Sequence, residues 1–244
     1  MIDFYYWPTP NGWKVSILLE ELEIEYRMIQ VNISKGEQFA PEFLAISPNN
    51  RMPAIVDRDP PAQYDGVPVT IFESGAILLH LARKTGRFLP ADPVGEKETL
   101  EWLFWQVGNL GPMAGQHSHF WNYADGDHEY AATRYANEYN RCIGVLERRL
   151  TGRDWLAGDA YSIADMASWP WVLIAKAMGQ PLDDFPNVSR WRNAIKERPA
   201  VQKGVDLGKD LRRTAPPTDE ERKLLYQQTA QSTSALAENA SKGD

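Results

Sequence analysis

Every strand-like stretch of this chain lies before residue 73, and the strong signals beyond the nineties are helical. That asymmetry excludes one continuous sheet and points to an α/β domain followed by an all-α domain. Ile2, Phe4 and Tyr6 alternate with Asp3 and Tyr5, a period of two that stops at Pro8 and Pro10. Val15, Leu18, Leu19 and Leu22 then follow helical spacing, opened by Asn11 and Gly12. A second strand-like run spans Glu25 to Val31, so the chain opens as a βαβ unit. A polar loop, 32–38, and a short helix near Pro41 come next. Ala54 to Asp57 and Val67 to Phe72 read as an antiparallel hairpin across the turn-rich 59–66, and Ser74 opens a helix to about Lys84. The expected order is βαβαββα.

The stretch from Thr85 to Gly95 is rich in Gly, Pro and Asp and reads as a linker. Helices are expected from Leu100, with a kink near Pro112, from Tyr130 to Leu150, from Ser162, and from Asn187 to Arg198. Ser162-Ile163-Ala164-Asp165 has the spacing of a capping box. From about Thr214 the chain turns polar and reads as a loosely attached tail, in part helical. The domain reading is 1–86, a linker over 87–96, a helical domain over 97–213 and a tail over 214–244.

The formal charge of −7 argues against nucleic acid as a partner. No run reaches the ~18 apolar residues a membrane span needs, and no basic leader precedes an apolar segment. A lone cysteine, Cys142, excludes an internal disulfide and a CxxC redox pair. Together these favour a cytoplasmic protein. Cys142 sits mid-helix and reads as a small buried hydrophobe. His117 and His119 are two apart on a helix and point to different sides; without an HExxH motif a metal site is not expected.

Three short segments carry chemistry. Arg51-Met52-Pro53-Ala54 precedes a strand; a cis bond at Pro53 would free the backbone of Met52 to pair with an extended peptide, and an ordinary trans loop is the alternative. Glu73-Ser74 opens a helix. Its hydroxyl and first N–H groups suit a carboxylate, and Glu73 suits an ammonium, the alternative being a plain cap. Thr9-Pro10-Asn11-Gly12 lies between the first strand and first helix. A hydroxyl at Thr9 and an amide at Asn11 could donate to a thiolate, which matters because a free thiol titrates near ~8.5. Glutathione carries all three features: a carboxylate–ammonium end, a peptide backbone and a thiol.

On these motifs the chain resembles the glutathione transferase superfamily, and within it the bacterial nu class, akin to the fungal nitrogen-regulator-like group. The matching text is 8–12, 47–57, Phe72 to Leu78, Trp102 to Gly108, 111–113 and Tyr161 to Asp165. The resemblance implies a thioredoxin-like N-terminal domain, an all-α C-terminal domain and a homodimer. It implies glutathione as co-substrate, no metal, and a small disulfide or electrophile as second substrate. It places Thr9 and Asn11 at the ligand sulfur, Met52 and Pro53 at the cysteinyl backbone, and Glu73 and Ser74 at the γ-glutamyl end. Gln38 falls near the glycyl end and Arg134 near the ligand. His117, Phe120 and Trp121 suit a second-substrate pocket or packing alone. Tyr5, Tyr6 and Trp7 leave a tyrosine-type thiolate partner open, although their alternation favours Tyr6 as a core or rim aromatic. The implied activity is glutathione-dependent disulfide-bond reduction with secondary transferase or peroxidase activity. The alternatives are conjugation to electrophiles as the main reaction, or a non-catalytic regulatory protein on the same fold.

Overall fold

The structure is a computed structural model that describes residues 1–240. Residues 241–244 of the expected tail lie outside the described ones. The chain forms two compact units: Met1–Ile77 together with the chain from Gly204 onward, and Leu78–Lys203.

The first unit holds the elements in the expected order: β1 (Ile2–Tyr6), α1 (Pro10–Leu22), β2 (Tyr26–Gln30), α2 (Pro41–Leu44), β3 (Ala54–Asp57), β4 (Val69–Phe72) and the start of α3 (Ser74–Thr85). The sheet order is β2-β1-β3-β4. β1 runs parallel to β2 and antiparallel to β3, which pairs antiparallel with β4. The inner strands β1 and β3 are buried along almost their whole length, with Ile2, Phe4, Tyr6 and Ile55 at 0% exposure. Asp3 is also fully buried, in the middle of β1. Burial pushes its carboxyl up, but Arg58 and Arg27, bonded to it at 2.6 and 2.9 Å, hold it below its ordinary value.

The registers bring three loops to one edge of the sheet. Tyr5 faces Ala54, and Ala54 faces Phe72. The C-terminal end of β1, the start of β3 and the C-terminal end of β4 therefore lie side by side. Gly12 lets α1 start directly against β1: a Cβ there would stand 2.4 Å from the Trp7 carbonyl oxygen and 2.8 Å from the Tyr6 ring.

The described chain from Gly204 to residue 240 is tied to the rest of this unit. Ser16 Oγ donates to the Gly204 carbonyl at 2.7 Å, and a Cβ on Gly204 would meet Ile17 backbone at 2.7 Å. Tyr6 Oη donates to Leu207 O at 3.0 Å, and the Arg212 guanidinium lies over the Trp13 ring. Two helices follow, α10 (Asp219–Tyr226) and α11 (Ala230–Ala240). Arg213 donates to Ser34 Oγ at 2.6 Å, Leu224 lies against Gly36, and α11 packs on the 3-10 turn Glu37–Phe39. The sequence signal for this order is Thr218-Asp219-Glu220-Glu221, a second capping box.

The second unit is helical: α4 (Pro93–Trp105), α5 (Gly111–Asn122), α6 (Glu129–Arg149), α7 (Ile163–Leu173), α8 (Pro186–Lys196) and most of α9 (Pro199–Asp206). α4 begins inside the expected linker because Asp92 caps it, accepting from Gly95 N at 2.8 Å, with Pro93 in its first turn. A π-helical turn, Gln106–Leu110, joins α4 to α5 just ahead of Pro112. Pro112 has no N–H to return to the preceding turn, which favours such a widening. α7 is buried over Ile163–Val172 and forms the centre of this unit. Trp169 and Trp191 are its largest buried side chains.

Candidate functional site

The site is built on the loops at the shared sheet edge of the first unit. Thr9 is extended and caps α1, its Oγ1 accepting from Gly12 N at 3.4 Å. That bond uses the oxygen as acceptor and leaves the O–H as donor. Among the described residues the Thr9 hydroxyl donates to no acceptor. Asn11 follows in the first turn, and both residues are half-buried. The N-terminus of α1 adds its positive dipole end at the same place.

The second loop runs from Ser47 to Pro53. Ser47 is buried and donates to Arg51 O at 2.8 Å. The Met52–Pro53 bond is cis, and the β3 ladder begins just after it, at Ala54. The thioether sulfur of Met52 accepts from Trp7 N at 3.1 Å, which ties this loop to the one holding Thr9.

The third is the turn from β4 into α3. Glu73 has a φ of 70°, a left-handed conformation that costs a non-glycine residue energy and that clusters at functional sites. Its carbonyl accepts from Ile77 N at 3.0 Å, so Glu73 takes the capping position and Ser74 is the first helical residue. Ser74 is thus spared from capping. The Glu73 carboxylate is exposed and accepts from Asn49 Nδ2 at 3.3 Å. Ser74 is buried, and its Oγ accepts from Lys14 Nζ at 3.3 Å. Lys14 was not singled out by sequence reasoning. The signal in the sequence was a lysine inside the apolar run of α1; in the structure it is 2% exposed. Burial lowers its ammonium to about 7, and the charge of Glu73 acts against that shift.

Thr9, Asn11, Met52, Pro53, Glu73 and Ser74 therefore occupy adjoining loops of one unit. Gln38 belongs to the same unit but is turned inward: it is 1% exposed, and its Nε2 donates to Ile33 O at 3.3 Å. Its Oε1 is buried without a partner in the protein. Tyr6 is a core aromatic, fully buried and bonded to Leu207 O, and burial pushes its phenol far above the ordinary value. Tyr5 packs on Phe43, and Met52 lies against the same small cluster of Val31, Phe43 and Ala54.

The remaining candidates lie in the helical unit. Arg134 is exposed on α6 and pairs with Glu138 at 2.6 Å. His117, Phe120 and Trp121 lie on α5, with the His117 and Trp121 rings 6.0 Å apart. His117 is buried, stacked on Tyr139, with Nε2 2.7 Å from Met178 O. Phe120 stacks on Tyr135. Trp121 is 58% exposed. Cys142 is fully buried, and burial raises its thiol. Among the described residues no group of three His, Cys, Asp or Glu could hold a metal ion, and no helix is long and apolar enough to cross a membrane.

Known proteins match this chain over most of its length. Residues 1–83 match the family model of the glutathione S-transferase N-terminal domain, and residues 122–199 that of the C-terminal domain. The disulfide-bond oxidoreductase YfcG of Escherichia coli is 52% identical over 201 residues, covering 82% of this chain and 93% of that protein. A glutathione transferase from Pseudomonas putida, solved with one glutathione disulfide per subunit, superposes with a TM-score of 0.79 at 42% identity; the match covers 85% of this chain and 91% of that one. One from Burkholderia graminis, solved with two glutathione molecules per subunit, also gives 0.79, at 44% identity, over 85% and 88% of the two chains.

Proposed function

The chain belongs to the glutathione S-transferase family, and from that premise we propose that it is a glutathione-dependent disulfide-bond reductase of the nu class. It acts as a cytoplasmic homodimer, with transferase or peroxidase activity as a secondary capacity. The observation that carries this reading is the pairing of a free hydroxyl donor with the absence of a usable thiol. Thr9 presents an uncommitted O–H at the start of α1, while the lone cysteine is buried with its thiol raised. The reacting sulfur then has to come from the ligand. The names of the relatives point the same way: one is called a disulfide-bond oxidoreductase, and a solved one holds glutathione disulfide.

In this mechanism Ser74 and the first N–H groups of α3 hold the γ-glutamyl carboxylate, and Glu73 answers the ammonium beside it. The Met52 backbone, ahead of Pro53, pairs with the cysteinyl part. Thr9 and Asn11 donate to the sulfur, and with the dipole of α1 they favour thiolate. The thiolate attacks one sulfur of a substrate disulfide. The S–S bond breaks, a mixed disulfide forms with glutathione, and the other substrate sulfur leaves as thiolate and takes a proton from solvent. A second glutathione thiolate attacks the mixed disulfide, releasing the second substrate thiol and glutathione disulfide. Two electrons pass from two glutathiones to the substrate, and no protein sulfur changes oxidation state. Gln38 and Arg134 are further glutathione contacts in this reading, and His117, Phe120 and Trp121 border the second substrate. Gln38 would have to turn its amide outward.

The test is turnover of a small mixed disulfide with reduced glutathione, coupled to a glutathione reductase. Wild type and Cys142→Ser are expected to be equally active. Thr9→Ala is expected to lose roughly tenfold or more in turnover, with glutathione affinity changed less. Loss of activity in Cys142→Ser alone would move the nucleophile into the protein. An inactive wild type that conjugates an aromatic halide instead would favour the transferase as the main reaction.

A further inference from the structure

Lys14 has no part in the mechanism above. It lies on α1 among the buried residues Gly12 to Leu19, with 2% of its surface exposed. Lysine is almost never buried so fully unless it is paired, because the ammonium loses its hydration. Its Nζ reaches Ser74 Oγ at 3.3 Å, and the charged group facing it from the β4–α3 turn is Glu73, which Asn49 in turn holds. The buried lysine thus stands directly behind the two residues that open α3.

We propose that Lys14 is a positioning residue for the γ-glutamyl carboxylate of glutathione, acting through Ser74, whose hydroxyl proton it turns toward the ligand. The inference rests on the glutathione reading above. An ammonium has donors and no acceptor, so toward a charged Lys14 the Ser74 oxygen must accept. The single proton of Ser74 is then left for another partner, and among the described residues it donates to none. A neutral amine has a lone pair and can take that proton, which withdraws the donor from the ligand side. A carboxylate at Ser74 therefore selects the charged form of Lys14 and holds a proton on it.

The linkage has a definite sign. Without ligand, Lys14 titrates at about 7, and a bound carboxylate raises that value. Below 7 the amine is charged with or without ligand, and affinity does not change with pH. Above 7 the bound form keeps a proton that the ligand-free form has lost. Affinity then falls, by at most about tenfold per pH unit, until the bound form also titrates.

S-Methylglutathione is the right probe because it has no thiol to titrate. Its dissociation constant for the full chain is measured by calorimetry from pH 6 to 8.5, in wild type and Lys14→Met. Wild type is expected to bind with a constant value up to near pH 7 and several-fold to ~10-fold more weakly at pH 8.5. Lys14→Met is expected to bind ~10-fold more weakly at pH 6, without the slope. A merely structural lysine would not produce that slope. A flat wild-type profile, or a variant that keeps the slope, overturns the role of Lys14 and leaves the glutathione reading standing. Failure of wild type to bind at any pH overturns both. Should Lys14→Met not fold, Ser74→Ala takes its place: its slope must vanish, and a retained slope overturns the coupling.

Discussion

Two helices of this protein open on a serine, one in each unit, and they are used in opposite ways. At the start of α7, Ser162 accepts from Ala164 N and donates to Asp165. The Asp165 carboxylate also takes Leu156 N, Ser162 N and the Trp191 indole, at 2.8 to 3.0 Å. Every one of these groups is buried, and burial pushes Asp165 up to about 6 despite its donors. At the start of α3 the chain enters through a left-handed Glu73 with an exposed carboxylate, and the Ser74 hydroxyl donates to no described residue. The first arrangement is closed: each donor has its acceptor inside the protein, and its product is stability. The second is open, and it holds strain and unspent donors at a place where a ligand can use them. The difference begins with position: Ser162 is the cap of α7, whereas Glu73 caps α3 and leaves Ser74 as its first helical residue.

That contrast can be broken by substitution, and the largest effect should fall on the closed start. Asp165→Ala leaves four buried donor groups without their acceptor, and a loss of about 4 kcal/mol is expected in chemical denaturation. A loss under about 1 kcal/mol would mean that the box is not a structural keystone. Ser74→Ala should do the reverse. Glutathione affinity should fall by ten- to a hundredfold, the range for a hydrogen bond of about 1.5–3 kcal/mol to a charged group, while stability falls by less than in Asp165→Ala, since only the acceptor of Lys14 is lost. If stability fell and affinity did not, Ser74 would belong with Ser162. The subtlest test is Glu73→Gly. Glycine accepts the left-handed backbone, so stability should hold or rise by up to about 1 kcal/mol. Calorimetric glutathione affinity should fall about tenfold as the ammonium partner is lost. Unchanged affinity would show that the strained turn serves the backbone alone.

The first unit shows how far local signals reach. Ile2, Phe4 and Tyr6 form the buried strand their alternation implies, and the βαβαββα order is present element by element. The residues around Pro53 allow a cis or a trans bond, and the fold takes the cis one. The reading of Tyr6 as a core or rim aromatic rather than a thiolate partner agrees with its full burial, though its partner, Leu207, is 201 residues away. The described part of the tail, up to residue 240, departs from its expected looseness for a related reason. Its composition is polar, and composition says nothing about docking. The Thr218–Glu221 box marks a helix there, and Ser34, Gly36 and Glu37–Phe39 supply the surface it packs on.

The sequence by itself determined the class of the fold, the order of the elements of the first unit and many of the helix starts, because periodicity, proline and capping residues act over a few neighbours. It also marked Thr9, Asn11, Met52, Glu73 and Ser74 as chemically apt. Tertiary structure alone decided which of those groups keep a free donor, that Gln38 faces inward, and that Lys14 stands behind Ser74 across 60 residues of chain. A hydrogen bond depends on where two distant segments come to rest, and burial depends on everything packed around a group. Neither quantity belongs to a residue or its neighbours, so neither could be read until the chain had folded.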